Sequence, residues 1–99
     1  MKKGIIDYID SSDERTFFIH NDVLSNHLDD TFNEFVREDK RDAVIDLAAI
    51  TKLNSMTLAA FLRIKKKLNE KNRNLYLSNP SPGVLRVLEL AGLDSFLLD

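Results

Sequence analysis

Apolar positions along the chain switch between short β-type runs and longer helical stripes, and that alternation predicts the elements. Ile5-Ile6-Asp7-Tyr8-Ile9 and Thr16-Phe17-Phe18-Ile19 read as two strands. The polar segment Ser11-Ser12-Asp13-Glu14 separates them, as in a hairpin. From a capping residue at Asn21 or Asp22, the residues Val23, Leu24, Leu28, Phe32, Phe35 and Val36 recur at three- and four-residue spacing and form one buried helical stripe. Residues 37–42 end that helix. Ala43-Val44-Ile45-Asp46-Leu47 is a short, mostly apolar and partly β-branched run, as expected of a strand covered on both faces. A second helix is expected from Ser55 to Lys71, with Leu58, Phe61, Leu62, Ile64 and Leu68 inward and Arg63, Lys65, Lys66, Lys67 and Glu70 mostly outward.

Leu75-Tyr76-Leu77 reads as a further buried strand. Ser78-Asn79-Pro80-Ser81-Pro82 is then a stiff turn in which Ser81 caps a helix and Pro82 takes its first position. Val84, Leu85, Val87, Leu88 and Ala91 line that helix, Gly92 ends it, and the apolar tail 93–98 packs as a short final helix. Strands joined through helices of ten or more residues require crossover connections. The expected fold is therefore α/β: a small, mostly parallel sheet made mixed by its opening hairpin, with about four helices covering mainly one face.

At 99 residues the chain is expected to form one domain, 1–99. It has no cysteine, which removes disulfides, thiolate catalysis and cysteine-bound zinc and fits a cytoplasmic protein. Net charge is −2, and the only basic run, Lys65-Lys66-Lys67, sits between apolar helix positions as a solvated face would, so nucleic acid is not an expected partner. No apolar run approaches the roughly 20 residues of a membrane span. His20 and His27 stand alone, and Asp7, Asp10, Asp13 and Asp29-Asp30 are scattered charges. Gly4, Gly83 and Gly92 make no phosphate loop. No catalytic residue, metal site or cofactor is expected, and a small hydrolase lacks every motif it needs.

The most informative stretch runs from the strand at 43–47 into the polar turn Asn54-Ser55, which opens a helix. A short side chain there lies beside free backbone N–H groups at the positive end of a helix. Read by itself, Ser55 is equally a plain N-cap and Asn54 a turn-former, and Met56 suits either a core or a contact surface.

Val44-Ile45-Asp46-Leu47, then Asn54-Ser55, then the long run from Leu75-Tyr76-Leu77-Ser78-Asn79-Pro80-Ser81-Pro82 through Val87-Leu88-Glu89-Leu90-Ala91-Gly92-Leu93 resemble the STAS domain. This fold is shared by bacterial anti-sigma factor antagonists and sulfate transporter tails. The resemblance implies a non-enzymatic switch: an antagonist that binds an anti-sigma factor which is also a serine kinase, is turned off when that kinase phosphorylates it, and is reset by a PP2C-type phosphatase. The family's Asp-Ser-Ser/Thr-Gly turn falls on Asn54-Ser55-Met56-Thr57. Ser55 thus matches the phosphoacceptor, while Asn54 lacks the carboxylate, Met56 the second hydroxyl and Thr57 the flexibility of glycine. The implied partner surface is Asn54, Ser55, Met56, Thr57, Ala59 and Arg63, on a monomer or weak dimer without direct membrane insertion. The alternative implied by the same family is a STAS subunit of an ABC phospholipid transporter, which contacts the nucleotide-binding subunit without phosphorylation.

Overall fold

The computed structural model describes residues 6–20 and 25–98, with the side chains of 25–27 left aside. The elements follow the expected order: β1 (Asp7–Asp10), β2 (Glu14–Phe18), α1 (Ser25–Glu38), β3 (Asp42–Asp46), α2 (Ser55–Asn69), β4 (Leu75–Ser78), α3 (Pro82–Leu90) and α4 (Asp94–Leu97). The four strands make one sheet in the order β1-β2-β3-β4, with β1 antiparallel to β2 and the remaining pairs parallel. The expected cap at Asn21 or Asp22 lies outside the described residues.

Two successive right-handed crossovers moving in the same direction across a sheet deliver both connecting helices to the same face. Accordingly α1 and α2 pack side by side. Beneath them, Phe17, Ala43, Ile45, Leu75 and Leu77 point into the core, where Phe17 meets Phe32 and Phe35 at ring-centroid distances of 4.3 and 5.3 Å. The alternate positions Thr16, Phe18, Val44, Tyr76 and Ser78 are only half-buried. This corrects the expectation that the 43–47 strand is covered on both faces: its burial alternates with period two, because the single helical layer leaves the other side of the sheet partly open.

The α2 helix stops at Asn69, two residues earlier than expected. Asn72 takes the left-handed conformation (φ 61°), and the Arg73 N–H turns back to the Leu68 carbonyl at 2.9 Å, the closing pattern of a helix whose chain must reverse. Gly92 (φ 72°) ends α3 in the same way, with Leu93 N–H on the Leu88 carbonyl. Here the sequence signal was the glycine itself, and at Asn72 an asparagine does the same work.

Two basic residues are buried, Lys65 against expectation and Arg73 without any having been formed. Lys65, placed outward by the helical period, is only 6% exposed. Its ammonium donates to Asn74 Oδ1 and to the Leu75 carbonyl, both at 2.8 Å, and lies 5.0 Å from the Phe96 ring. Its long stem lets it fold over the margin of β4 instead of reaching water, and burial lowers its pKa below the ordinary lysine value. Arg73 donates to three backbone carbonyls, those of Val36, Arg41 and Phe35, at 2.8, 2.8 and 3.3 Å. It thereby supplies the donors that the last turn of α1 cannot provide for itself.

At the same end of the strands, Asp10, Arg15, Asp39 and Arg41 form a network with N–O distances of 2.6–3.7 Å, so Asp10 is more than a scattered charge. Arg15 also lies 3.9 Å over the Tyr8 ring. Asp39 accepts from the Arg41 guanidinium and from the backbone N–H groups of Lys40 and Arg41, which hold its carboxyl far below its ordinary value of 3.8. A depressed carboxyl pKa contributes stability that is present above the unfolded value and lost as pH falls toward the folded one. Asp39→Asn should therefore flatten the acid side of the stability profile below about pH 4. Urea unfolding at a series of pH values measures this, and an unchanged acid limb would refute the role assigned to Asp39.

Candidate functional site

The turn at 54–57 is capped from within, and the loop that leads to it is tied to β4 and α3. Asn54 has an extended backbone (φ −92°, ψ 167°), and its Oδ1 accepts from the Thr57 N–H at 2.8 Å. The helix cap is therefore Asn54, and Ser55 is the first helical residue; this replaces the reading of Ser55 as an N-cap. An asparagine is among the best caps, so Ser55 is not required for that task. Its side chain is exposed at the start of a 15-residue helix whose first turn contains no acid.

Upstream, the loop from β3 is pinned to the neighbouring strand and helix. Asp46 Oδ1 accepts from the Ala48 N–H, while Asp46 Oδ2 accepts from Asn79 Nδ2 at 2.9 Å. Asn79 adopts a left-handed backbone (φ 53°) just before Pro80. The Leu47 N–H meets the Ser78 carbonyl at 2.8 Å, and Ser81 Oγ donates to the Ile50 carbonyl at 3.3 Å. Ser81 also accepts from the Val84 N–H and Pro82 is the first residue of α3, as the sequence pattern predicts. These bonds bring the start of α3 against the loop that leads into α2. The loop is thus anchored at residues 46–50, the turn that follows is capped by Asn54, and the Ser55 side chain stays accessible.

Of the surface residues inferred by resemblance, Asn54, Ser55, Met56 and Arg63 are exposed, and Thr57 and Ala59 are half-buried. Met56 is 68% exposed, one of five large apolar side chains open to solvent among the described residues. Spaced at one and two turns, Ser55/Met56, Ala59 and Arg63 share one side of α2. Arg63 is not free: it pairs with Asp29 of α1 at 2.8 Å. The bases Lys66 and Lys67 are exposed, as expected of the basic run, and Lys65 alone departs from it. Asp46, Asn79 and Ser81, which fix the loop, went unassigned to the site. The available signals were a carboxylate closing an otherwise apolar strand and an asparagine preceding proline.

Among the described residues no cluster of His, Asp and Glu is arranged to hold a metal ion, and no helix is long and apolar enough to cross a membrane.

The STAS domain sequence model matches residues 21–98, and the chain belongs to the STAS domain family. Among solved structures it is similar to the crystal structure of TM1081 of Thermotoga maritima, described as a candidate anti-sigma factor antagonist, with TM-score 0.81 and 20% identity over 94% of this chain and 83% of that one. The NMR structure of TM1081 gives TM-score 0.79 and 16% identity over 96% and 78%. At such identities the likeness concerns the fold. Curated protein sequences give no match.

Proposed function

We propose that this chain works as a single STAS domain without enzymatic activity, an anti-sigma factor antagonist that binds an anti-sigma factor kinase and is switched off by phosphorylation of Ser55. The observation that carries the reading is the exposed Ser55 hydroxyl at the first position of α2, on a turn fixed by Asn54, Asp46 and Ser81 and flanked by exposed Met56. A phosphoryl group at that point adds about −1.5 to −2 charges. The N–H groups of the first turn tolerate such charge within the domain, whereas a closely packed interface does not. Transcription is then regulated indirectly, in the cytoplasm, with a PP2C-type phosphatase restoring the hydroxyl.

The second reading, a STAS subunit on the nucleotide-binding subunit of an ABC phospholipid transporter, is favoured by the turn's composition. Asn54 uses its oxygen as a cap where the phosphorylated family members have aspartate, and Thr57 stands in place of glycine. Incubation with a GHKL-type serine kinase and ATP, followed by mass spectrometry, separates the two. Phosphate on Ser55 is the expected result. Modification elsewhere, or none, would overturn the switch and leave the transporter reading.

A further inference from the structure

Charge is distributed unevenly around the turn. Residues 47–69 contain five bases and no acid, while the rest of the chain has nine bases and sixteen acids. Not every base in the segment is available: Lys65 is buried, and Arg63 is neutralised by Asp29. Lys67 is exposed and bonds only to the uncharged Asn33 at 2.7 Å. Lys52 and Lys66 are exposed and, among the described residues, their ammonium groups have no ion pair or hydrogen bond. By helical geometry Lys66 falls on the same side as Ser55 and Ala59, and Lys67 on that of Met56. The nearest acids are Asp29 of α1, occupied by Arg63, and Glu70, beyond the last turn of α2.

Resting on the reading above, we infer that the partner surface is acidic: Met56 inserts as an apolar anchor into a protein face whose carboxylates meet Lys52, Lys66 and Lys67. Charge complementarity of this kind accelerates encounter and selects among partners more than it adds affinity. It also gives phosphorylation a second effect, because a phosphoryl group on Ser55 places negative charge at the Lys52 end of the surface, roughly 16 Å along the helix from Lys66, and repels the carboxylates that face that end. A polyanion such as nucleic acid fits less well. Running along α2, it meets exposed Asp30 and Glu34 of the adjoining α1 and then Glu70, and the strongly acidic remainder of the molecule repels it.

Two experiments test the inference. In the first, the isotope-labelled full chain is titrated by NMR with a short peptide of glutamate and leucine, with a single-stranded oligonucleotide, and with vesicles containing phosphatidylglycerol. The peptide should shift amides of residues 52–67, with binding weakened about tenfold between low and high salt and again in the Lys52→Glu/Lys66→Glu variant. No shift, a shift centred on another face, or a stronger response of the same amides to the oligonucleotide or vesicles would overturn it. Circular dichroism of the exposed-site double variant verifies its fold. In the second, association with the candidate kinase is timed. If Ser55→Asp abolishes binding while neither salt nor charge reversal alters the association rate, the proposed function stands and the acidic partner surface is refuted. If Ser55→Asp abolishes binding and the rate also falls about tenfold on charge reversal, both stand.

Discussion

Arg73→Ala should cost the protein about 3 kcal/mol, because it takes the guanidinium away from the buried Val36 and Arg41 carbonyls and leaves that of Phe35 with the Asp39 N–H alone. The guanidinium serves Phe35 and Val36 in the last turn of α1 and Arg41 just before β3, and it lies 5.0 Å from the Phe35 ring. Removing it withdraws donors from a helix end and leaves a void beside the aromatic cluster. For a domain of this size the loss corresponds to a fall in Tm of roughly 15 °C. Arg73→Lys should recover only part of it, since one ammonium cannot reach three separated acceptors in the plane of a guanidinium. Urea unfolding at neutral pH is the measurement. A loss below about 1 kcal/mol would mean that water replaces the guanidinium at the Val36 and Arg41 carbonyls.

Ser55→Asp should do the reverse, leaving stability untouched or slightly raised and weakening partner binding by about two orders of magnitude. The first turn of α2 has no acidic residue, and Asn54 keeps the cap whatever occupies position 55. A carboxylate there adds a favourable interaction with the helix end of roughly 0.3–1 kcal/mol. In a docked complex the same carboxylate is an uncompensated charge in a desolvated contact. The two effects part cleanly in paired measurements, thermal unfolding for one and pull-down or calorimetry with the partner for the other. Unchanged affinity would remove Ser55 from the interface. A fall in Tm of several degrees would show that the hydroxyl has a structural task which Asn54 does not cover.

Much of the fold was legible from periodicity alone. The strands at 43–47 and 75–77, the Ser81-Pro82 helix start and the Gly92 stop are each a local signal with a local cause, and all appear within a residue or two of the expected place. Misreadings arose where the deciding partner is distant in sequence. Lys65 looks solvated in its own helix and is buried only because Asn74 and the Leu75 carbonyl wait nine and ten residues on. Arg73 sits in a polar loop whose acceptors are more than thirty residues away. At the candidate site, the exposure of the turn followed from the pattern, but the choice of cap did not. Asn54 and Ser55 are both good caps, and the backbone conformation entering α2 selects between them.

Lys65 and Asn74 act together on the outer side of β4. The Leu75 N–H donates to Asn74 Oδ1, its carbonyl accepts from Lys65, and Leu77 is bridged to Leu98. A sheet sealed along that margin offers no template on which a neighbouring chain could polymerise. Fibril growth or strand exchange would have to begin at β1, where Asp7 and Asp10 oppose an identical, like-charged strand.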